Sequence, residues 1–338
     1  MAERPDRIQR ALDRSYHSAS RIQTDPDSLR WIIFSDHHRG TRDGADDFAP
    51  CEKNYLKALR HYEKEGYSLC LLGDVEEFWE NTPLHVMAKY RNVLQAEKSF
   101  FDKGRLHRIW GNHDDDWRVA GQISRHLGWL FPKINVHEGI VLELSRGAKC
   151  LEILLVHGHQ GTLNSDRLAW ISRLFVRFIW RNIQRLFRVP LSTPANNIKL
   201  KSAHDQAMYN WADRQDKVII CGHTHHPVFM SFTHADRIRQ ELTFLQSQQQ
   251  TTPSEETAAT IAELEKKLLQ IQLDEGESLD VEHPKPFYFN SGCCSYGDGD
   301  ITGLELADGQ IRLIKWSAKT KERMVLGTTE LKYLLDYC

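Results

Sequence analysis

The sequence has no apolar run of about 18 residues, the length a membrane-spanning helix needs, so no such span is expected. It has no Cys-x-x-Cys pair. Its seven cysteines (Cys51, Cys70, Cys150, Cys221, Cys293, Cys294 and Cys338) are odd in number and scattered, which speaks against a disulfide framework or a zinc knuckle and for a reducing compartment. It has no excess of positive charge: 44 Lys and Arg stand against 46 Asp and Glu. Dedicated nucleic-acid binding, which needs a basic face, is therefore not expected. The opening stretch "MAERPDRIQRALDRSYHSAS" lacks the apolar core of a secretory signal, so the expected location is cytoplasmic. No internal repeat occurs. What is present is a chain of 338 residues, enough for one large domain with insertions and a sizeable core.

Five short aliphatic runs end in polar residues: "RWIIFSD" (30–36), "SLCLLGD" (68–74), "LHRIWGNHD" (106–114), "LEILLVHGH" (151–159) and "KVIICGHTH" (217–225). Runs this short and this apolar read as strands buried on both faces. Between the first two, "EKNYLKALRHYEKEG" has helical spacing and a terminal glycine, and Leu84 to Lys103 has the same character. Strands alternating with helices predict a layered α/β fold. Hairpins are expected to turn at Arg146-Gly147 and at Asp308-Gly309. Two segments break the rhythm: 163–201, a long helical stretch, and 234–280, which reads as two polar helices around a Thr-Pro-Ser break.

Each of the five runs closes on groups that can bind a metal: Asp36 and His38, Asp74, Asn112 beside His113, His157 and His159, His223 and His225. In layered α/β folds, sites form at the carboxyl ends of strands. Imidazole and carboxylate together suit zinc, manganese or iron rather than calcium. A shared carboxylate can bridge two ions about 3.5–4 Å apart, a spacing that clamps both oxygens of a phosphoryl transfer. Any one of these motifs taken singly is an ordinary turn; five in order, each ending an apolar run, form a pattern. Side chains alternate in extended chain, so if Asp36 and His38 face the metals, His37 faces away.

The ordered set Asp36-His37-His38, Gly73-Asp74-Val75-Glu76-Glu77, Gly111-Asn112-His113-Asp114, His157-Gly158-His159 and Gly222-His223-Thr224-His225 resembles the calcineurin-like metallophosphoesterase superfamily, as does the later "FYFNSGC". The resemblance implies an α/β fold, a four-layer αββα metallophosphoesterase sandwich with helical insertions, over residues 28–320. It implies two divalent metal ions, manganese first, with iron or zinc as alternatives. One ion would take Asp36, His38 and His225; the other Asn112, His157 and His223; Asp74 would bridge. His113 would be the unligated imidazole beside the phosphate, oriented by Glu77. The implied reaction is hydrolysis of a phosphate ester or pyrophosphate by metal-bound hydroxide.

The run Glu77-Phe78-Trp79 after Gly73-Asp74 resembles the bacterial UDP-2,3-diacylglucosamine hydrolases, which carry a helical cap in the interval occupied here by 163–201. The chain departs from them in having His113 where they have Arg, His159 where they have Asp, and the 234–280 hairpin. The substrate is therefore read broadly, as a nucleotide- or lipid-linked phosphate. His159 falls on the substrate side. In the cap, Arg173, Arg177, Arg181 and Arg185 recur every four residues beside an apolar face. Arg173 and Arg177 are thus candidate phosphate contacts, and the cap is a candidate for peripheral contact with an anionic membrane face. A nuclease of the same superfamily and a non-catalytic metal-binding scaffold are the alternative readings.

Overall fold

A computed structural model describes residues 5–147, 149–161, 198–232, 254–272 and 284–337, with single positions between 236 and 246. The expected cap, including Arg173 and Arg177, lies outside the described residues except for its last four positions. Of the expected polar hairpin, the second helix is described, as α7 below.

In chain order the elements are α1 (Pro5–Ser18), β1 (Ser20–Thr24), β2 (Arg30–Phe34), α2 (Glu52–Lys64), β3 (Ser68–Leu72), α3 (Pro83–Lys89), α4 (Arg91–Phe101), β4 (Leu106–Ile109), α5 (Ala120–His126), β5 (Val136–His137), β6 (Gly139–Arg146) and β7 (Lys149–Val156). There follow α6 (Ile198–Gln215), β8 (Val218–Cys221), β9 (Pro227–Val228), α7 (Glu255–Gln272), β10 (Tyr288–Ser291), β11 (Ile301–Ala307), β12 (Gln310–Trp316), β13 (Arg323–Glu330) and α8 (Leu331–Leu335). They build two sheets, one ordered β1-β6-β7-β8-β10-β9 and the other β13-β12-β11-β2-β3-β4-β5. Both are mixed: β2, β3, β4 and β5 run parallel, and β11 joins β2 antiparallel.

The alternation of side chains makes the layers. On β2 and β3, Ile33, Cys70 and Leu72 join one core with the aliphatics of β6, β7 and β8. Their neighbours Ile32, Phe34, Leu69 and Leu71 join a second core with α2 and α4. On the other sheet, α1 packs on β6, and α6 packs on β8 and β10. The order is helix, sheet, sheet, helix: a four-layer α/β sandwich, whose central strands β2, β3 and β8 are apolar because both faces are covered.

Three details refine the sequence reading. The chain before residue 28 belongs to the sandwich: α1 buries Ile8, Ala11, Leu12 and Ser15, one helical stripe, and β1 pairs in parallel with β6. Beyond residue 320, β13 and α8 likewise complete it. The helix expected from Leu84 to Lys103 is two helices, broken at Tyr90, whose backbone leaves the helical region. The β11–β12 hairpin turns at its dipeptide, and the β6–β7 hairpin turns one residue later than expected, Arg146 still pairing with Lys149. Asp308 and Gly309 have φ of 55° and 71°, the paired left-handed conformation of a tight two-residue turn.

Candidate metal centre

The five motifs leave the carboxyl ends of β2, β3 and β4, adjacent in one sheet, and of β7 and β8, adjacent in the other. Each strand stops before its polar residues. The backbone then turns sharply: Asp36, His38, Asp74, His223 and His225 have φ of 51°, 50°, 50°, 70° and 59°. A non-glycine residue in this region costs about 1–2 kcal/mol. Five such residues at one place are strain that the surrounding structure must hold. Glycines make the close approach feasible. A Cβ on Gly73 would stand 2.6 Å from His157 Cγ, on Gly111 2.2 Å from Asp74 Oδ1, and on Gly222 2.4 Å from Asp36 Oδ2. These glycines are dictated by the side chains they face.

Two groups of donors carry the expected ligands, Asp36 with His38 and His225, and Asp74 with His157 and His223, while a third, His38 with Glu77 and His113, overlaps the first through His38; the atoms of each group lie within 4.8 Å of one another. Asp74 stands between the groups, its Oδ2 3.0 Å from His157 Nε2 and 3.9 Å from His38 Nε2. The rings are held from behind. His157 Nδ1 donates to the Leu72 carbonyl at 2.9 Å, which turns Nε2 toward the group. His38 Nδ1 lies 3.3 Å from Glu77 Oε2, and its Nε2 faces His225 Nε2 at 3.1 Å. Buried and without a hydrogen-bond partner are His157 Nε2, which is out of line with Asp74, and Asn112 Oδ1. Buried acceptors are ordinarily satisfied. Imidazole nitrogens, carboxylates and an amide oxygen that face one another fit divalent transition cations.

His113 lies beside the donors. Its backbone N–H donates to Asp74 Oδ1 at 2.8 Å, its Nδ1 sits 2.5 Å from Glu77 Oε2, and its ring stacks on Trp79 at 4.2 Å. Asp114 pins the loop by accepting from the N–H groups of Gly111 and Val75, at 2.6 and 2.9 Å. Asn290 closes the far side, its Nδ2 donating to the Gly222 carbonyl at 2.7 Å. His37 points away, between Phe48 and Tyr55. His159 is buried, its ring 4.9 Å from Trp110 and 5.4 Å from His157. The structure thus brings together Asp36, His38, Asp74, Glu77, Asn112, His113, His157, His159, His223 and His225.

Solved structures similar to this chain include a single mutant of Vps29 from Entamoeba histolytica, with 12% identity over 88% of this chain and 100% of that one, at a TM-score of 0.36. Vacuolar Protein Sorting 29 from Cryptosporidium parvum has 10% identity over 89% and 97%, also at 0.36. No family model and no curated protein matches the sequence.

One neighbour escaped the sequence reading. His204 on α6 is buried with its ring 5.0 Å from His223; one nitrogen bonds the Gly158 backbone and Nε2 has no hydrogen-bond partner. Its context, "KSAHDQ", carries no motif. The next residue, Asp205, accepts from Thr224 Oγ1 at 3.1 Å and from the Tyr288 hydroxyl at 2.5 Å, and so steadies the turn between His223 and His225.

The electrostatics follow from the same packing. Burial opposes charge everywhere here, yet the imidazoles nearest a carboxylate hold protons. His225, 3.3 Å from Asp36, is pushed up to about 10, and His157, beside Asp74 and Asp36, to about 9. Burial and the positive groups nearby press His159 down to about 3 and His223 well below its usual value. Protons thus occupy the place a cation would take, and cation binding would release them.

Proposed function

We propose that this chain is a two-metal phosphoesterase of the calcineurin-like metallophosphoesterase type, hydrolysing a phosphate ester or pyrophosphate bond. The observation that carries the proposal is the pair of buried donor groups with Asp74 between them. In this reading Asp36, His38 and His225 hold one cation, Asn112, His157 and His223 the other, and Asp74 both. Two divalent ions there supply Lewis acidity to a phosphoryl group and lower the pKa of water, and manganese, iron and zinc all suit these donors.

The chain's own groups do the rest. His113 is placed to stabilise charge on the phosphoryl group and to give a proton from Nε2 to the departing oxygen. Glu77 is its positioning residue: accepting from Nδ1 fixes the orientation of the ring. Trp79, stacked on the same ring, excludes water from one face. His159 supplies a neutral wall on the substrate side, with Arg173 and Arg177 of the cap as phosphate contacts. A nucleotide- or lipid-linked phosphate, of the UDP-diacylglucosamine kind, is the substrate class proposed. The cap's apolar face and arginines would suit contact with the inner membrane face.

The test is a panel of UDP-diacylglucosamine, dinucleoside diphosphates and aryl phosphates, each with manganese, iron, cobalt and zinc. Hydrolysis that depends on one of these metals is expected. No hydrolysis of any ester with any of the four would overturn the proposal.

A further inference from the structure

A second surface stands beside the metal centre. A groove of about 310 Å³ lies between α3 and α5, with Met87 and Ala88 among its apolar residues, Leu84 and Trp129 as walls, and Arg91 and Arg125 as its cations. Leu84 is 68% exposed and Trp129 54%, and Val119, at the start of α5, is 56%. Among the described residues these are the three most exposed large apolar side chains, and the others lie elsewhere, on β13, on α8 and at Tyr337. Apolar residues exposed singly need no explanation, whereas Leu84 and Trp129 line one groove.

The indole of Trp129 is held in place: its Nε1 donates to the His126 carbonyl at 2.9 Å, and the Arg91 guanidinium lies 5.6 Å from its ring centre. The most exposed charges of these segments are positive. Lys89, Arg91, Arg118 and Arg125 are exposed, while the acids of these segments, Glu80, Asp115 and Asp116, are half-buried. Both helices issue from loops of the metal centre. α3 begins four residues after Trp79, and α5 follows the short helical turn Asp115–Arg118 that continues the Gly111–Asp114 loop.

We infer that this face docks on an anionic bilayer, with Leu84, Val119 and Trp129 entering the interface and the four cations meeting lipid phosphates. Exposed tryptophan with leucine, ringed by Lys and Arg, is the composition that suits the boundary between headgroups and acyl chains. Docking here would set the metal-centre loops near the headgroup plane. It uses a face distinct from the cap and does not depend on the phosphoesterase reading.

The experiment is co-sedimentation of the full chain with phosphatidylcholine vesicles and with vesicles containing phosphatidylglycerol. Binding is expected only to the anionic vesicles and to weaken with salt. Leu84→Ser with Trp129→Ser should reduce partitioning tenfold or more, and Arg91→Glu with Arg125→Glu should remove the preference for anionic lipid. Circular dichroism and hydrolysis of a soluble aryl phosphate, measured on the same variants, report folding and the metal centre separately. Absence of binding to anionic vesicles would refute the inference, as would unchanged binding of the Leu84→Ser/Trp129→Ser protein. A dimer that the same double substitution dissociates, with no vesicle binding, would assign the patch to a second copy instead.

Discussion

Two buried polar regions lie back to back in this molecule, and they are built on opposite principles. Behind the metal centre, Arg39 pairs with Glu97, and Arg108 donates to Glu76 at 2.6 Å, all four side chains at most 1% exposed. Tyr55 and Trp117 add hydrogen bonds to Glu97 and Glu76, at 3.1 and 2.8 Å. Here each charge has its opposite. In the centre itself, carboxylates, imidazoles and the Asn112 oxygen face one another, and among the described residues no Lys or Arg pairs with Asp36 or Asp74. The two regions alternate along the same segments: His38 belongs to the centre and Arg39 to the network, Glu76 to the network and Glu77 to the centre, as expected where neighbouring side chains point to opposite sides. The lesson is that burial of charge alone does not mark a metal site. A set of carboxylates that face only imidazoles and an amide oxygen does, because the protons held there can leave when a cation arrives.

The sharpest way to break this contrast is Asp74→Asn, which keeps the volume and tolerates the left-handed backbone while removing the charge between the donor groups. Metal content by elemental analysis should fall from two ions per chain to one at most. The metal-dependent gain in stability, about 2.7 kcal/mol at a hundred times Kd, should largely disappear from thermal unfolding. Two ions retained at wild-type affinity would mean that Asp74 does not hold the pair.

The next largest effect separates holding metal from using it. His113→Ala should keep both ions and lose hydrolysis by a factor on the order of 10²–10⁴, the range for a proton-transferring group. Glu77→Gln should cost less, about 10–100-fold, as removal of a supporting partner does. A general acid must carry its proton, so loss of a positioning Glu77 should move the alkaline limb of the pH–rate profile to lower pH, whereas loss of a merely structural Glu77 would leave that limb unmoved. Equal, small losses in both variants would remove His113 from the reaction.

Much of the metal centre was legible in the sequence because its signals are local. An apolar run that ends in Gly-Asp, Gly-Asn-His or Gly-His-Thr-His declares a buried strand and a strained polar turn within ten residues. The β11–β12 turn was legible for the same reason. What escaped depends on partners far along the chain. β1 finds β6 across more than a hundred positions, and α1 shows only an amphipathic stripe that could have lain on any surface. Arg39 and Glu97, 58 residues apart, read as solvated charges until the fold buries them together. His204 has no motif at all and is defined only by what surrounds it.

The paired network yields the third prediction. Arg108→Leu strands Glu76 without its counter-charge and should destabilise the fold by about 3–5 kcal/mol in urea unfolding, while the folded fraction still binds two ions. Replacing both Arg108 and Glu76 by Leu should cost less than the single change, since no unpaired charge remains buried. If the double variant were the less stable of the two, the network would be contributing more than charge pairing.

The smallest effect contrasts imidazoles inside and outside the centre. Inside it, His38, His157 and His225 are raised by carboxylates. His107 on β4 stacks on Trp31 at 4.2 Å, and burial, helped by nearby His137, pushes it from its ordinary 6.5 down to about 4. Between these values the unfolded chain binds a proton at this position and the folded chain does not. Stability therefore falls as pH drops from about 6.5 toward about 4, and the contribution is intact above 6.5. His107→Phe keeps the ring stack and removes the titration. Urea midpoints measured on metal-free protein across this window should fall less steeply in the variant than in the wild type. The same slope in both would show that the folded chain takes up a proton at His107 as readily as the unfolded one.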